Sequence, residues 1–228
     1  MKRFAGVLVM FSIAAAIAWT VQRMYLARTA AGPVSARATG APASLDPIDA
    51  LEPGIVAGRP IPEQLPAFTL RDRDGQQTPI STWRGKSLII NFWATWCAPC
   101  RREMPLLQSL DRNWAGQDFR VIGIAVDRRD AVLAFANSLH IGYPLLIGEQ
   151  EALDVAASLG VPSPGLPFTV FTDRRGQIVA LYFGELHRAQ TDLILSVVLQ
   201  VNQDRLALAD ARRKIGEELA KLKTAGRV

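Results

Sequence analysis

Asn91-Phe92-Trp93-Ala94-Thr95-Trp96-Cys97-Ala98-Pro99-Cys100-Arg101-Arg102-Glu103-Met104-Pro105 joins an apolar run to a helical one across two cysteines separated by two residues. Upstream, Leu88-Ile89-Ile90 and Phe92-Trp93 predict a buried central strand over Ser87 to Trp93. Downstream, Met104, Leu107 and Leu110 recur at helical spacing and predict a helix from Pro99 to about Gly116. Pro99 suits a first turn, where its missing N–H costs no hydrogen bond. Amides of that turn lack partners and the helix dipole is positive there. A thiolate at Cys97 is therefore stabilised, and its pKa falls from about 8.5 towards or below neutrality. The more exposed Cys97 can attack a substrate disulfide, and Cys100, one turn on and facing inward, can resolve the mixed disulfide.

Other uses of the pair fit less well. These are the chain's 2 cysteines, and a bridge between them closes too small a loop to act as a structural staple. A zinc site needs four ligands, and His140 and His187 form no close pair. Covalent haem attachment needs a His after the second Cys, where Arg101 stands.

Outward from this stretch the pattern is that of a mixed α/β domain. Short strands are predicted at Phe68 to Leu70 and Gln77 to Ile80, and a buried one at Phe119 to Val126, which is too short and too β-branched for a helix. A helix follows from Arg129 to Leu139, a strand around Tyr143 to Ile147, and a helix around Glu151 to Leu159. Phe168 to Thr172 and Ile178 to Phe183 flank the turn Asp173-Arg174-Arg175-Gly176-Gln177, which implies an antiparallel hairpin. A long helix starts near Arg188. The order βαβ then ββα describes a mixed sheet with helices on its faces. Beyond residue 202, Leu208, Ile215, Leu219 and Leu222 give an amphipathic helix that packs on the domain or on a partner helix. It is read as an extra helix docked on its own domain or partly free, since the three or four sustained heptads of a dimerising coiled coil are absent.

The leader reads differently. Lys2 and Arg3 precede an uncharged run from Phe4 to Gln22, close to the roughly 20 residues a spanning helix needs. A cleaved signal and a retained anchor compete. The run is long for a cleaved signal core, which favours the anchor. Thr29 to about Pro66 is rich in Ala, Pro, Gly and Ser and reads as an extended linker. The expected organisation is an anchor at 1–28, a linker at 29–59, a domain at 60–202 and the C-terminal amphipathic helix at 203–228.

The net charge of +5 belongs to the leader. Lys2, Arg3, Arg23, Arg28 and Arg37 meet no acidic residue before Asp46, and the remaining 21 basic residues balance the 21 acidic ones. The folded part therefore carries no nucleic-acid footprint.

Across about residues 60 to 200 the chain resembles the TlpA/ResA-like branch of the thioredoxin superfamily, whose members are membrane-anchored thioredoxins working outside the bacterial cytoplasm. The resemblance rests on the motif quoted above, and the leader and linker match the family's layout. It implies a thioredoxin-like fold and a bacterial inner-membrane tether, a single N-terminal span, with the catalytic domain in the periplasm or outside the cytoplasm. It implies no cofactor beyond the redox-active Cys97–Cys100 disulfide. Partners implied are a protein disulfide substrate, such as an apocytochrome c or a copper-site protein, and a membrane thiol electron donor. Pro167 in Gly165-Leu166-Pro167-Phe168 resembles the family's cis-proline, with Leu166 shaping the substrate cleft. Trp96 matches the aromatic flanking the nucleophile, Pro105 the proline that kinks the first helix, and Trp93 is expected in the core. Glu103 matches a Glu that tunes the cysteines' proton chemistry in the family; read alone it is a surface carboxylate. Asn91 stands where general thioredoxins have a buried Asp, and cannot titrate.

Other functions of the same fold remain open at this level. An exported oxidant would run the same chemistry in reverse. A thiol peroxidase would have Thr where Ala94 stands. A copper-binding assembly chaperone would need a wider cysteine spacing with a distal His.

Overall fold

The computed structural model describes residues 55–56, 59–114, 119–161 and 165–225. The expected anchor at 1–28 and most of the linker at 29–59 lie outside these residues. Among the described residues no helix is long and apolar enough to cross a membrane. The end of the predicted linker contributes β1 (Ile55–Val56) and β2 (Arg59–Pro60), an antiparallel pair.

The domain is organised about β5 (Ser87–Trp93), all seven residues of which are buried. Alternation along a strand sends Leu88, Ile90 and Phe92 into one apolar layer and Ile89 and Trp93 into the other. β5 runs parallel to β6 (Phe119–Val126), with Asn91 opposite Gly123. β7 (Leu145–Gly148) continues that parallel set beside β6. Parallel neighbours need crossovers, supplied by α1 (Ala98–Trp114) and α2 (Arg129–Ser138). On the other side β5 pairs antiparallel with β8 (Phe168–Thr172), which turns into β9 (Ile178–Phe183) as the predicted hairpin. β3 (Thr69–Asp72) pairs antiparallel with both β7 and β4 (Gln77–Pro79). The sheet order is β4-β3-β7-β6-β5-β8-β9, a mixed sheet as expected.

α1 packs Met104, Leu107 and Leu110 into the layer that holds Ile89 and Trp93. The same layer takes Ile194 and Val198 from α4 (Arg188–Asn202) and Ile215 and Leu219 from α5 (Leu208–Thr224). The opposite layer is closed by Ala152, Val155 and Ala156 of α3 (Gln150–Ser158). Within it Phe92 stacks on Phe168 with ring centroids 4.2 Å apart, and Phe168 on Phe183 at 5.8 Å.

Strand limits differ from the sequence reading in three places, β3 covering Thr69–Asp72 rather than Phe68 to Leu70. β4 stops at Pro79: Ile80 N–H still donates to the Phe68 carbonyl at 3.0 Å, and the chain then turns through the 3-10 turn Ile80–Trp83, which carries Ile80 inward. β7 starts at Leu145 rather than Tyr143, because Pro144 has no N–H for the ladder; its carbonyl instead accepts from Gly123 N–H at 2.9 Å. α5 docks on its own domain: its Arg212 guanidinium donates to the Ile178 carbonyl on edge strand β9 at 2.6 Å. That contact helps cover an exposed sheet edge.

Candidate active site

β5 and β6 end side by side, and this brings the loop before the cysteines against the turn after β6. Thr95 donates both its N–H (3.0 Å) and its hydroxyl (2.5 Å) to the carboxylate of Asp127. The loop is therefore gripped where the parallel strands finish. Trp96 is turned out and 71% exposed, while Ala94 and Trp93 are buried.

Cys97 and Cys100 form a disulfide with Cα atoms 5.3 Å apart. Cys97 keeps 5% exposure and Cys100 none, so the accessible sulfur is that of Cys97. α1 begins at Ala98, and the Cys100 N–H points at Cys97 Sγ from 3.3 Å. A first-turn amide, otherwise without an intrahelical partner, is thus aimed at the sulfur that would carry negative charge on reduction.

The Leu166–Pro167 peptide bond is cis. Leu166 is half-buried and packs against the cluster that contains both cysteines. The Pro167 carbonyl accepts from Gly184 N–H at 2.9 Å, tying this loop to the end of β9. Pro105 lies inside α1.

Glu103 is only 1% exposed, which overturns its reading as a surface carboxylate. Three residues along α1 from Cys100, it shares the inward face with Met104 and Leu107. Oε1 accepts from Asn91 Nδ2 at 2.8 Å, and Oε2 from Leu186 N–H at 2.7 Å. Asn91 also donates to Thr169 Oγ1 at 3.0 Å, so β8 fixes the amide with which β5 holds the carboxylate. Burial pushes the Glu103 carboxyl up to about 7; the Leu186 and Asn91 hydrogen bonds pull it back in part, and the charge of Glu185 pushes it up further. A buried carboxyl poised there can take or give a proton near neutral pH.

The structure thus gathers Cys97, Cys100, Glu103 and Leu166 around one apolar cluster, with Trp96 exposed at its rim. Sequence reasoning missed Asp127, Leu186 and the donor role of Asn91. Asp127 and Leu186 act across separations of 32 and 83 residues, and no local spacing signals such contacts. Asn91 could have been found from strand alternation, which turns it towards α1. Among the described residues no group of three or more His, Cys, Asp or Glu is arranged to hold a metal ion.

A family model described as the AhpC/TSA family matches residues 61–181. The chain is 30% identical over 145 residues to the thioredoxin-like protein YneN of Bacillus subtilis, an alignment covering 62% of this chain and 79% of YneN. It is 31% identical over 122 residues to the thiol-disulfide oxidoreductase ResA of Geobacillus kaustophilus, covering 53% of this chain and 68% of that one. Among solved structures, a thioredoxin-family thiol:disulfide interchange protein from Chlorobium tepidum matches with a TM-score of 0.55 at 28% identity, over 60% of this chain and 97% of the other.

Proposed function

The chain belongs to the AhpC/TSA family, among its ResA-like thiol-disulfide oxidoreductases of thioredoxin fold, and from that premise we propose that it reduces specific protein disulfides outside the cytoplasm through Cys97 and Cys100. The observation that carries this reading is the disulfide at the start of α1 with a helix amide directed at Cys97 Sγ. On reduction that geometry favours the Cys97 thiolate, the form that attacks.

The cycle balances in two steps. Cys97 thiolate attacks one sulfur of the substrate disulfide, forming a mixed disulfide and expelling the other substrate sulfur as a thiolate, which takes up a proton. Cys100 then loses its proton to Glu103 and attacks Cys97 Sγ, releasing the second substrate sulfur and leaving the Cys97–Cys100 disulfide. Two electrons pass to the substrate, and a membrane thiol donor returns them to the protein. Glu103 suits the proton transfer because it sits one helical turn from Cys100 and titrates at about 7. Trp96, Leu166 and the cis Pro167 form the wall against which a substrate strand lies in this reading. Ala94 offers no hydroxyl where a thiol peroxidase has Thr, and the neighbouring Thr95 hydroxyl is committed to Asp127.

In the same reading residues 1–28 tether the domain to the bacterial inner membrane and 29–59 span the gap to it. The targets are exported proteins whose assembly needs free cysteines, apocytochromes c or copper-site proteins among them. Expressing a Cys100→Ser variant in the native cell tests the whole scheme, because the mixed disulfide on Cys97 can no longer be resolved. A partner covalently held on Cys97 and released by reductant is the expected result, with none on a Cys97→Ser, Cys100→Ser double variant. Retained activity of Cys100→Ser without any trapped species would sink the assigned roles.

A further inference from the structure

Arg102 and Glu103 are consecutive on α1, and Glu185 and Leu186 are consecutive in the loop between β9 and α4. The two pairs meet in register. The Arg102 guanidinium donates to Glu185 from Nε at 2.8 Å and approaches it at 2.5 Å through a second nitrogen. One residue further along, Leu186 N–H donates to Glu103 at 2.7 Å. One contact is at the surface, with Arg102 61% and Glu185 18% exposed; the other is fully inside. The helix therefore holds the loop at two successive points, and only the outer one is an ion pair.

We propose that Arg102 is a positioning residue for Glu103: through Glu185 it holds the β9–α4 loop so that the Leu186 N–H meets the buried carboxylate, and its cation offsets the charge of Glu185 there. This rests on the proton-handling role assigned to Glu103 above. The electrostatic half follows from adjacency, Glu185 being the residue before Leu186, whose N–H Glu103 accepts. An anion near a second carboxylate opposes its ionisation, and a cation bound directly to the first anion cancels most of that field. The other groups facing Glu103 do not replace Arg102. Asn91 is neutral, and the cysteines are joined. Tyr143 is held well above the usual phenol range and Tyr182 is raised as well, each by burial first and by the Glu103 charge second, so they stay neutral. His187 follows Leu186 but is exposed at the start of α4.

The test follows the Glu103 carboxyl itself by NMR in the full-length chain labelled with 13C-glutamate, its signal assigned by loss in Glu103→Gln. Glutamine at position 102 or 185 can still form one hydrogen bond across the contact while removing one charge. Arg102→Gln is expected to raise the Glu103 midpoint and Glu185→Gln to lower it, each by roughly a few tenths of a pH unit. The double variant and Arg102→Lys should return close to the parent. Movement of neither single variant overturns the proposal, and movement of both upward, as loosening of the grip alone would give, overturns its electrostatic half. The pH profile of dithiol–disulfide exchange is recorded on the same variants. Opposite NMR shifts with an unmoved exchange profile support the positioning of Glu103 by Arg102 and sink the catalytic use of that carboxyl instead.

Discussion

β5 presents two different environments from one backbone. Its residues Leu88, Ile90 and Phe92 face a layer of aliphatic and stacked aromatic side chains, where Phe92, Phe168 and Phe183 run across three strands. One residue out of phase, Asn91 faces α1 and donates to a buried carboxylate. The first layer contributes stability by removing apolar surface from water, a gain that is indifferent to pH. The second gives some stability up, because Glu103 must be dehydrated each time it ionises. The alternation of a single strand thus separates an all-apolar layer from one in which a buried carboxylate lies on the helix that carries the cysteine pair, the carboxylate proposed above to handle their protons.

The largest expected effect tests the stabilising side. Ile90 is completely buried, and Ile90→Ala should lower the unfolding free energy by about 2–5 kcal/mol through lost burial and the cavity left behind. Urea unfolding at pH 5 and pH 8 should give the same loss. A loss that changed with pH would show the two layers to be coupled and would break the comparison.

Glu103→Gln probes the other face of the same strand, and its sign can be worked out. The carboxyl titrates at about 7 in the folded chain against an ordinary 4.5, so the unfolded state releases its proton first as pH rises. Stability is then full below about pH 4.5 and falls as pH rises through about 7, by about 3 kcal/mol in all. A glutamine in its place avoids this loss. It keeps an acceptor for Leu186 N–H, and Asn91 can turn its amide over, since its Oδ1 lacks a partner among the described residues. The variant should match its parent below pH 4.5 and exceed it by up to about 3 kcal/mol above pH 7.5 in denaturant midpoints. Its dithiol–disulfide exchange should slow by roughly a hundredfold. A variant that was less stable than its parent at pH 8 would contradict the burial account.

The stabilising layer was also the more legible in the sequence. Leu88-Ile89-Ile90, the β-branched run from Val121 to Val126 and the Asp173–Gln177 turn announce strands by composition and local spacing, and β5, β6, β8 and β9 have the expected limits. In the other layer, Leu208, Ile215, Leu219 and Leu222 announced an amphipathic helix, though not whether it would dock. β7 starts late, just after Pro144, where a missing N–H outweighs hydrophobic pattern, and β4 ends one residue early where the chain enters the 3-10 turn at Ile80. Around the cysteines the motif identified the residue types but not their surroundings. Nothing near Glu103 in sequence tells whether its helix face is covered, because the cover comes from Leu186, and nothing near Thr95 announces Asp127. Such contacts are products of strand order, which only the assembled sheet supplies.

The smallest expected effect sharpens the comparison within the site layer, by separating the grip on the cysteine loop from proton handling. Thr95 is half-buried, and its hydroxyl gives Asp127 one of the two hydrogen bonds made by this residue. Thr95→Val removes that bond but leaves the backbone N–H, and Arg128 N–H continues to donate to the same carboxylate at 2.7 Å. Asp127 therefore stays bonded, and the cost should be about 1 kcal/mol. Because Thr95 leads directly into Trp96 and Cys97, a looser loop should slow exchange a few-fold by misorienting the attacking sulfur. The pH dependence of both rate and stability should stay that of the parent, since no ionisable group has been removed and Glu103 keeps its donors. A Thr95→Val profile displaced towards that of Glu103→Gln would mean that the loop and the buried carboxylate act as one unit, with the division of labour falling between the two faces of β5 and nowhere inside either.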